Sequence, residues 1–193
     1  MIKAIVLDID GVIIGNLPGI NFPYPSKKVT EVLKKIHDSG IPVSFLTGKT
    51  TFAAWENIKS IGIDNPHIAD GGAVIFNPIQ NKIIKKDLIN SKDLLEFMYA
   101  LGKETYVNFF TIDNYFLLKK LENEYTKTYG KFIGKPPALV DDVENVIRNQ
   151  EISKFNISAF TEKDKEKATE VLNNFSDKLL VLMLEILAEI LVF

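Results

Sequence analysis

The stretch Ile5-Val6-Leu7-Asp8-Ile9-Asp10-Gly11 is a short apolar run that ends in two acids and a glycine. The run is too short for a helix and too apolar for a solvated strand, so we interpret Ile5–Leu7 as a buried central strand. Asp8 and Asp10 are two positions apart and therefore point to the same side as the strand ends. Like charges this close are costly unless a cation lies between them or one carboxyl group keeps its proton. The pattern indicates metal-assisted chemistry, although Asp is also common in turns.

The next segments alternate between helical and strand patterns. They are a helix from the N-cap Ser26 to Gly40, a strand at Val43–Leu46, a helix at Phe52–Ile61, a strand at His67–Ala69 and a hairpin from Ala73 to Lys86. Such alternation predicts an α/β fold with a parallel sheet and right-handed crossovers. Ligands of these sheets bind at the carboxyl ends of the strands.

Thr47-Gly48-Lys49 follows the second predicted strand. Gly48-Lys49-Thr50 looks like the end of a P-loop, but that motif requires glycine where Val43 stands, so we reject a nucleoside-triphosphate site. A hydroxyl group and backbone N–H groups between a strand and a helix still suit a phosphate group. Thr47 could equally be a simple helix cap.

The pattern changes near Asp87, which divides the chain into predicted domains 1–86 and 87–193. The second domain contains two strand-rich units with antiparallel turns, which predicts an α+β module. The predicted elements are a helix capped by Ser91, a hairpin within Tyr106–Leu118, helices within Lys119–Tyr129 and Val140–Ile147, a strand at Ile152–Phe160, a helix capped by Thr161 and a strand at Lys178–Met183.

Composition excludes several classes of function. The chain has 193 residues, a formal net charge of −2 and no cysteine. The charge gives no reason to expect binding to nucleic acid or to an anionic membrane, and the absence of cysteine excludes disulfides and thiolate chemistry. We find no signal-peptide pattern and no apolar stretch long enough to span a bilayer, so we expect a cytoplasmic protein.

Asp8-Ile9-Asp10-Gly11-Val12, together with Phe45-Leu46-Thr47-Gly48-Lys49, resembles the haloacid dehalogenase-like (HAD) superfamily. Gly71-Gly72-Ala73 before a hairpin, followed by an α+β module, is similar to its Cof-type phosphatase branch with a C2B cap. The resemblance implies a Rossmann-like parallel sheet as the core, with the α+β module as an inserted cap. It also implies a phosphatase that acts on a small phosphorylated metabolite, such as a sugar phosphate.

The resemblance implies roles for individual residues. Asp8 would attack phosphorus and form an aspartyl-phosphate, and Asp10 would protonate the leaving oxygen and then activate water. The Asp8 carboxylate and the Asp10 backbone carbonyl oxygen would also hold Mg²⁺, the expected cofactor, which prefers one or two carboxylates plus phosphate oxygens. The implied phosphate-binding residues are Thr47, Gly48 and Gly11, and the implied substrate contacts are Lys49, Asp70, Gly71 and Gly72. Two of these depart from the branch, which commonly has Arg in place of Lys49 and Asn in place of Asp70.

The end of the chain departs further from the superfamily. In its members the chain returns from the cap to the core, where it supplies a lysine that binds the phosphoryl group and an acidic loop that binds the metal. In this sequence no lysine follows Lys178, and Leu182–Phe193 fits a helix better than a catalytic loop. We therefore expect a truncated core with Ile5–Leu7 at an exposed sheet edge, where a second chain could pair or the C-terminal run could pack. The alternative function is an inactive remnant that binds phosphate or a partner subunit. A receiver-type phosphoacceptor domain is disfavoured because no acceptor Asp follows Phe45-Leu46.

Overall fold

A computed structural model of the chain describes residues 2–179, 181–184 and 189–192. The chain divides into two units, Met1–Asp87 and Leu88–Phe193, and each has its own sheet structure. None of the helices in the described ranges has the length and apolar composition that crossing a membrane requires.

The first unit alternates strands and helices, as predicted. Its strands are β1 Ile5–Leu7, β2 Val43–Phe45, β3 His67–Ala69, β4 Val74–Asn77 and β5 Lys82–Lys86, and its helices are α1 Lys27–Asp38 and α2 Thr51–Ile61. Ser26 begins α1 because its Oγ accepts a hydrogen bond from the N–H of Val29 at 3.4 Å. Gly62 ends α2 in the left-handed conformation, with φ of 75°.

The strands of the first unit pair in chain order. β1 and β2 are parallel, with Leu7 opposite Phe45, and a single parallel bridge from Leu46 to Ile68 joins β2 to β3. β3, β4 and β5 then continue as an antiparallel meander. Within the described ranges β1 pairs only with β2, and Val6 is 60% exposed. The first interpretation of Ile5–Leu7 as a buried central strand is therefore wrong, and the expectation that Ile5–Leu7 lies at an exposed sheet edge is confirmed for the described ranges.

Side chains join β2 to β3 where backbone hydrogen bonds are few. The N–H of Phe45 donates to Nδ1 of His67 at 3.2 Å, and the N–H of Val43 donates to Oδ1 of Asn65 at 3.2 Å. Nε2 of His67 lies 3.3 Å from the carbonyl oxygen of Ile63, so the neutral ring accepts at one nitrogen and donates at the other. The ring is fully buried and stacks on Phe45. Burial lowers the pKa of His67 from 6.5 to about 4.

The second unit contains one mixed sheet and four helices within its described residues. Its strands are β6 Tyr106–Phe110, β7 Tyr115–Leu118, β8 Ala138–Val140, β9 Lys154–Ser158, β10 Val181–Leu184 and β11 Glu189–Val192, and its helices are α3 Ser91–Leu101, α4 Glu124–Ile133, α5 Val143–Asn149 and α6 Glu162–Asn173. The strand order is β10-β11-β9-β6-β7-β8. All neighbours are antiparallel except β7 and β8, which are parallel.

The two faces of this sheet differ in character. One face forms an apolar core with α3, α5 and α6, in which Phe97 and Phe155 are fully buried. On the other face, Asn108 and Asn156 are opposite each other in β6 and β9. Helix α4 contacts this face through Tyr129, whose hydroxyl oxygen accepts a hydrogen bond from Nδ2 of Asn156 at 2.5 Å.

Three helix predictions in the second unit had wrong boundaries. The first helix is capped by Asn90 and not by Ser91, which is its first helical residue. The segment Lys119–Tyr129 begins with a 3₁₀ turn at Lys119–Leu121 and becomes α-helical only from Glu124, because Asn123 and Thr126 form a capping box there. Val140 ends strand β8, and α5 begins at Val143 because Oδ1 of Asp142 accepts hydrogen bonds from the next backbone N–H groups.

The helix predicted over Leu182–Phe193 is wrong for the part that the structure describes. Val181–Leu184 and Glu189–Val192 are strands that pair with each other, and Glu189–Val192 also pairs with β9. The backbone of β11 is therefore used on both sides within the second unit's sheet. That backbone is therefore not available to pair with β1, and residues 180, 185–188 and 193 lie outside the described ranges.

We predict that His67 makes stability fall at mildly acidic pH. Because its pKa is about 4 in the folded chain and ordinarily 6.5, the unfolded chain takes up the proton first as pH falls. The contribution of His67 to the free energy of unfolding is complete above pH 6.5. As pH falls to about 4 and below, the free energy of unfolding decreases by on the order of 3 kcal/mol. Urea unfolding of the wild type and of His67→Gln across this range measures it, and parallel pH profiles for the two proteins would contradict it.

Candidate active site

The carboxyl ends of β1 and β2 lie side by side. The N–H of Leu46 donates to the carbonyl oxygen of Leu7 at 2.9 Å, so the residues that follow the two strands emerge together. Ile9 is fully buried, whereas Asp8 and Asp10 on either side of it are exposed. Oδ1 of Asp8 accepts a hydrogen bond from the N–H of Ile9 at 2.6 Å. One buried side chain thus fixes two carboxyl groups at the end of the strand.

A tight turn follows Asp10. The N–H groups of Ile13 and Ile14 both donate to the carbonyl oxygen of Ile9, and the N–H of Gly11 donates to the carbonyl oxygen of Ile14 at 2.8 Å. Gly11 has φ of 75°, a conformation that residues with a Cβ atom rarely adopt. The N–H of Gly11 is used within this turn, so it does not point to a phosphate group as predicted. Gly11 instead allows the backbone to turn after Asp10.

Lys49 forms an ion pair with Asp10. Its Nζ lies 2.9 Å from Oδ1 and 3.0 Å from Oδ2 of Asp10. The Lys49 side chain is 17% exposed and the Asp10 side chain 51% exposed, so the pair lies at the surface of the unit with its cation on the inner side. The sequence predicted Lys49 as a substrate contact, and this link to Asp10 was missed.

Thr47 and Lys49 form a turn whose polar groups face one another. Thr47 is 2% exposed, and its Oγ1 accepts a hydrogen bond from the N–H of Lys49 at 3.1 Å. That bond uses an oxygen lone pair, so the hydroxyl hydrogen of Thr47 can still be donated to another acceptor. Gly48, between them, is exposed.

Residues that follow β3 hold this turn from the other side. The N–H of Asp70 donates to the carbonyl oxygen of Lys49 at 2.9 Å, and the N–H of Gly71 donates to that of Thr47 at 3.1 Å. Asp70, Gly71 and Gly72 all have positive φ, of 50°, 67° and 116°. The backbone after β3 therefore bends sharply enough to place two donors against the turn.

The side chain of Asp70 faces the protein interior. It has no exposed surface, and its Oδ2 accepts a hydrogen bond from Oγ1 of Thr51 at 2.7 Å. This arrangement does not favour the predicted contact between Asp70 and a substrate, and it gives the residue a positioning role. Thr51 is also fully buried and begins α2. Its part in the site was missed, because nothing in the sequence links it to an acid 19 positions away.

Thr50 is a second residue that the sequence analysis did not single out. It is 1% exposed at the N-cap of α2, and its Oγ1 has no hydrogen-bond partner among the described residues. Buried hydroxyl groups are rarely left unsatisfied, and water or a ligand usually supplies the partner.

The end of β1 fits the predicted metal. The described ranges contain no group of three or more His, Cys, Asp or Glu side chains that could hold an ion. Mg²⁺ does not need such a cage, because it commonly keeps several waters and binds through one or two carboxylates and the phosphate oxygens of a substrate. At this strand end the Asp8 carboxylate and the Asp10 backbone carbonyl oxygen could hold it, whereas both carboxylate oxygens of Asp10 are bonded to Lys49.

A model of the haloacid dehalogenase-like hydrolase family matches residues 5–188. The chain belongs to the haloacid dehalogenase-like hydrolases. The family resemblance predicted from the motifs at Asp8 and Thr47 is therefore confirmed, and so is the HAD-like fold.

One curated relative and several solved structures of the HAD superfamily are similar to the chain. Mannosyl-3-phosphoglycerate phosphatase of Pyrococcus horikoshii is 33% identical over 162 residues, covering 72% of this chain and 55% of the relative. A HAD phosphatase from Bacteroides thetaiotaomicron aligns with a TM-score of 0.76 at 22% identity, covering 100% of this chain and 66% of its own. A sugar phosphatase of HAD subclass IIB aligns with a TM-score of 0.67 at 20% identity, covering 98% and 69%. The chain thus spans about half the length of the curated relative.

We predict that the hydrogen bond from Thr51 to Asp70 stabilises the first unit. Thr51→Val removes the donor while keeping a similar shape, and should lower the free energy of unfolding by roughly 1–3 kcal/mol. Thr51→Ser keeps the hydroxyl group and should cost clearly less. Urea denaturation of the three proteins checks this, and equal losses for Val and Ser would show that the methyl group matters and the hydrogen bond does not.

Proposed function

We propose that this chain is a Mg²⁺-dependent phosphomonoesterase that acts on a small phosphorylated metabolite through an aspartyl-phosphate. The observation that carries the proposal is the meeting of Asp8 and Asp10, at the end of β1, with the turn of Thr47 and Lys49 after β2. A nucleophilic carboxylate, a second carboxyl group and a cation are the parts that phosphoryl transfer needs, because that reaction depends on positioning and charge neutralisation.

A carboxyl oxygen of Asp8 attacks phosphorus, and the bond from phosphorus to the leaving oxygen breaks. Asp10 donates a proton to that leaving oxygen as the alcohol departs. Asp10 then accepts a proton from a water molecule that attacks phosphorus, the bond from phosphorus to Asp8 breaks, and inorganic phosphate is released. The Asp10 side chain is half exposed, so both the leaving oxygen and the attacking water can reach it.

Lys49 and Thr47 supply the charge and the donor that the phosphoryl group requires. The Lys49 ammonium binds both oxygens of Asp10, and it would move to the phosphate oxygens when a substrate enters. The Thr47 hydroxyl group retains a hydrogen to donate. Mg²⁺, held by Asp8 and Asp10, would neutralise phosphoryl charge when bound.

The substrate class that we favour is a sugar phosphate or a related phosphorylated small molecule. Support comes from two relatives, a phosphatase of mannosyl-3-phosphoglycerate and a subclass IIB sugar phosphatase. In this proposal residues 1–86 form the catalytic core and residues 87–193 form the cap. The alternative function is phosphate binding without turnover, which the ion pair favours in one respect, since both oxygens of Asp10 are already engaged.

We predict that the purified chain hydrolyses an aryl phosphate only with Mg²⁺ and with Asp8 intact. Asp8→Asn should lower kcat by more than about a thousandfold, because it removes the nucleophile. EDTA should abolish turnover and added Mg²⁺ should restore it. Steady-state release of the aryl alcohol measures both effects.

Asp38→Asn is the matched control for that assay, because Asp38 is an exposed acid at the end of α1 in the same unit. It should leave kcat unchanged. A folded wild-type protein that binds inorganic phosphate but shows no turnover would overturn the enzymatic proposal and support the alternative.

A further inference from the structure

The second unit contains an open cleft beside α4 that belongs to no site described above. Its volume is about 510 Å³, within the range of small-molecule sites. It lies between α4 and the chain that leads into β8. Its charged lining residues are Lys127, Lys131, Lys135 and Glu122.

Local structure places the three lysines around this cleft. Lys127 and Lys131 are four positions apart on α4 and therefore lie on the same face of the helix. Gly134 ends the helix with φ of 98°, and Lys135 follows at once. The Nζ of Lys135 donates to the carbonyl oxygen of Asp113 at 2.5 Å, which fixes the direction of this side chain.

The charge of the cleft lining is positive. Lys127 shares an exposed ion pair with Glu124 at 2.8 Å, and exposed pairs of this kind are weak. Lys131 is exposed and makes no ion pair with any residue in the described ranges. Partial burial lowers the pKa of Lys135, which means that its charged form lacks some of the solvation it has in water. A bound anion would restore part of that stabilisation.

The remaining lining is suited to the body of an organic molecule. Pro136, Pro137 and Leu139 contribute apolar surface, and Leu139 is 38% exposed. Gly130 has no side chain to fill the space, and a Cβ atom there would come within 3.3 Å of the Lys135 carbonyl oxygen and of Pro136. The cleft therefore combines three cations and one carboxylate, that of Glu122, with an apolar wall.

We propose that this cleft binds a small organic anion with at least two negative charges, carried by phosphate or carboxylate groups. The argument uses only residues of the second unit, so it does not depend on the phosphatase proposal. Lysines near the end of a helix also stabilise it through the helix dipole, and that simpler role predicts no bound ligand.

Titration of the full chain with inorganic pyrophosphate, without divalent cations, tests the proposal by following backbone amide NMR shifts. We expect saturable shifts at residues 127–135 with a millimolar or lower Kd, apart from any shifts at residues 47–51. Lys131→Ala should weaken binding about fivefold or more, and Lys131→Arg should restore most of it. The matched control is Lys163→Ala, an exposed lysine on α6 that should leave the Kd unchanged.

The proposal fails if residues 127–135 show no saturable shifts, or if Lys163→Ala weakens binding as much as Lys131→Ala does. The second result would mean that pyrophosphate responds to the overall charge of the chain. Repeating the titration with citrate separates phosphate from carboxylate recognition. Equal affinity for the two anions would support a site selective for charge, and preference for one would name the ligand group.

Discussion

The junction of β2 and β3 positions the Thr47 turn and the bend at Asp70 relative to each other. Backbone pairing there is reduced to one bridge, and the imidazole of His67 and the amide of Asn65 accept from N–H groups of β2. These side chains set the distance and the offset between the two strands. Because β2 leads into the Thr47 turn and β3 into the bend at Asp70, that offset determines whether the two segments meet.

One of the two charges at the end of β1, that of Asp10, is compensated by the protein itself. Two carboxyl groups on one side of a strand were expected to need a cation, and a metal ion was the natural candidate. The structure shows that the Lys49 ammonium meets Asp10 directly. The acid pair therefore indicates a site for charged ligands, and the case for Mg²⁺ rests on the coordination preferences of that ion and on family membership.

Interactions between residues close in the sequence could be predicted, whereas interactions between distant residues could not. Ser26 and Asp142 cap helices within their own turns, so they are visible in the sequence, even though the helix at Asp142 was given the wrong start. The link between Lys49 and Asp10 joins residues 39 positions apart and could not be read from spacing. The apolar run near the C-terminus fits either a helix or strands, and its pairing with β9 decides the matter. The partner of Asp70 was missed because Thr51 lies 19 positions away in the sequence.

The pairing of β6 with β9 has a consequence for how the chain acquires its structure. These neighbours in the sheet are separated in sequence by β7, α4, β8 and α5, whereas β3, β4 and β5 pair with the strand next in the chain. Closing a long loop costs chain entropy before its contacts form, so high contact order slows folding. During synthesis the meander of the first unit can therefore form early. The sheet of the second unit must wait until β9 has left the ribosome, and until then β6 has only its hairpin partner.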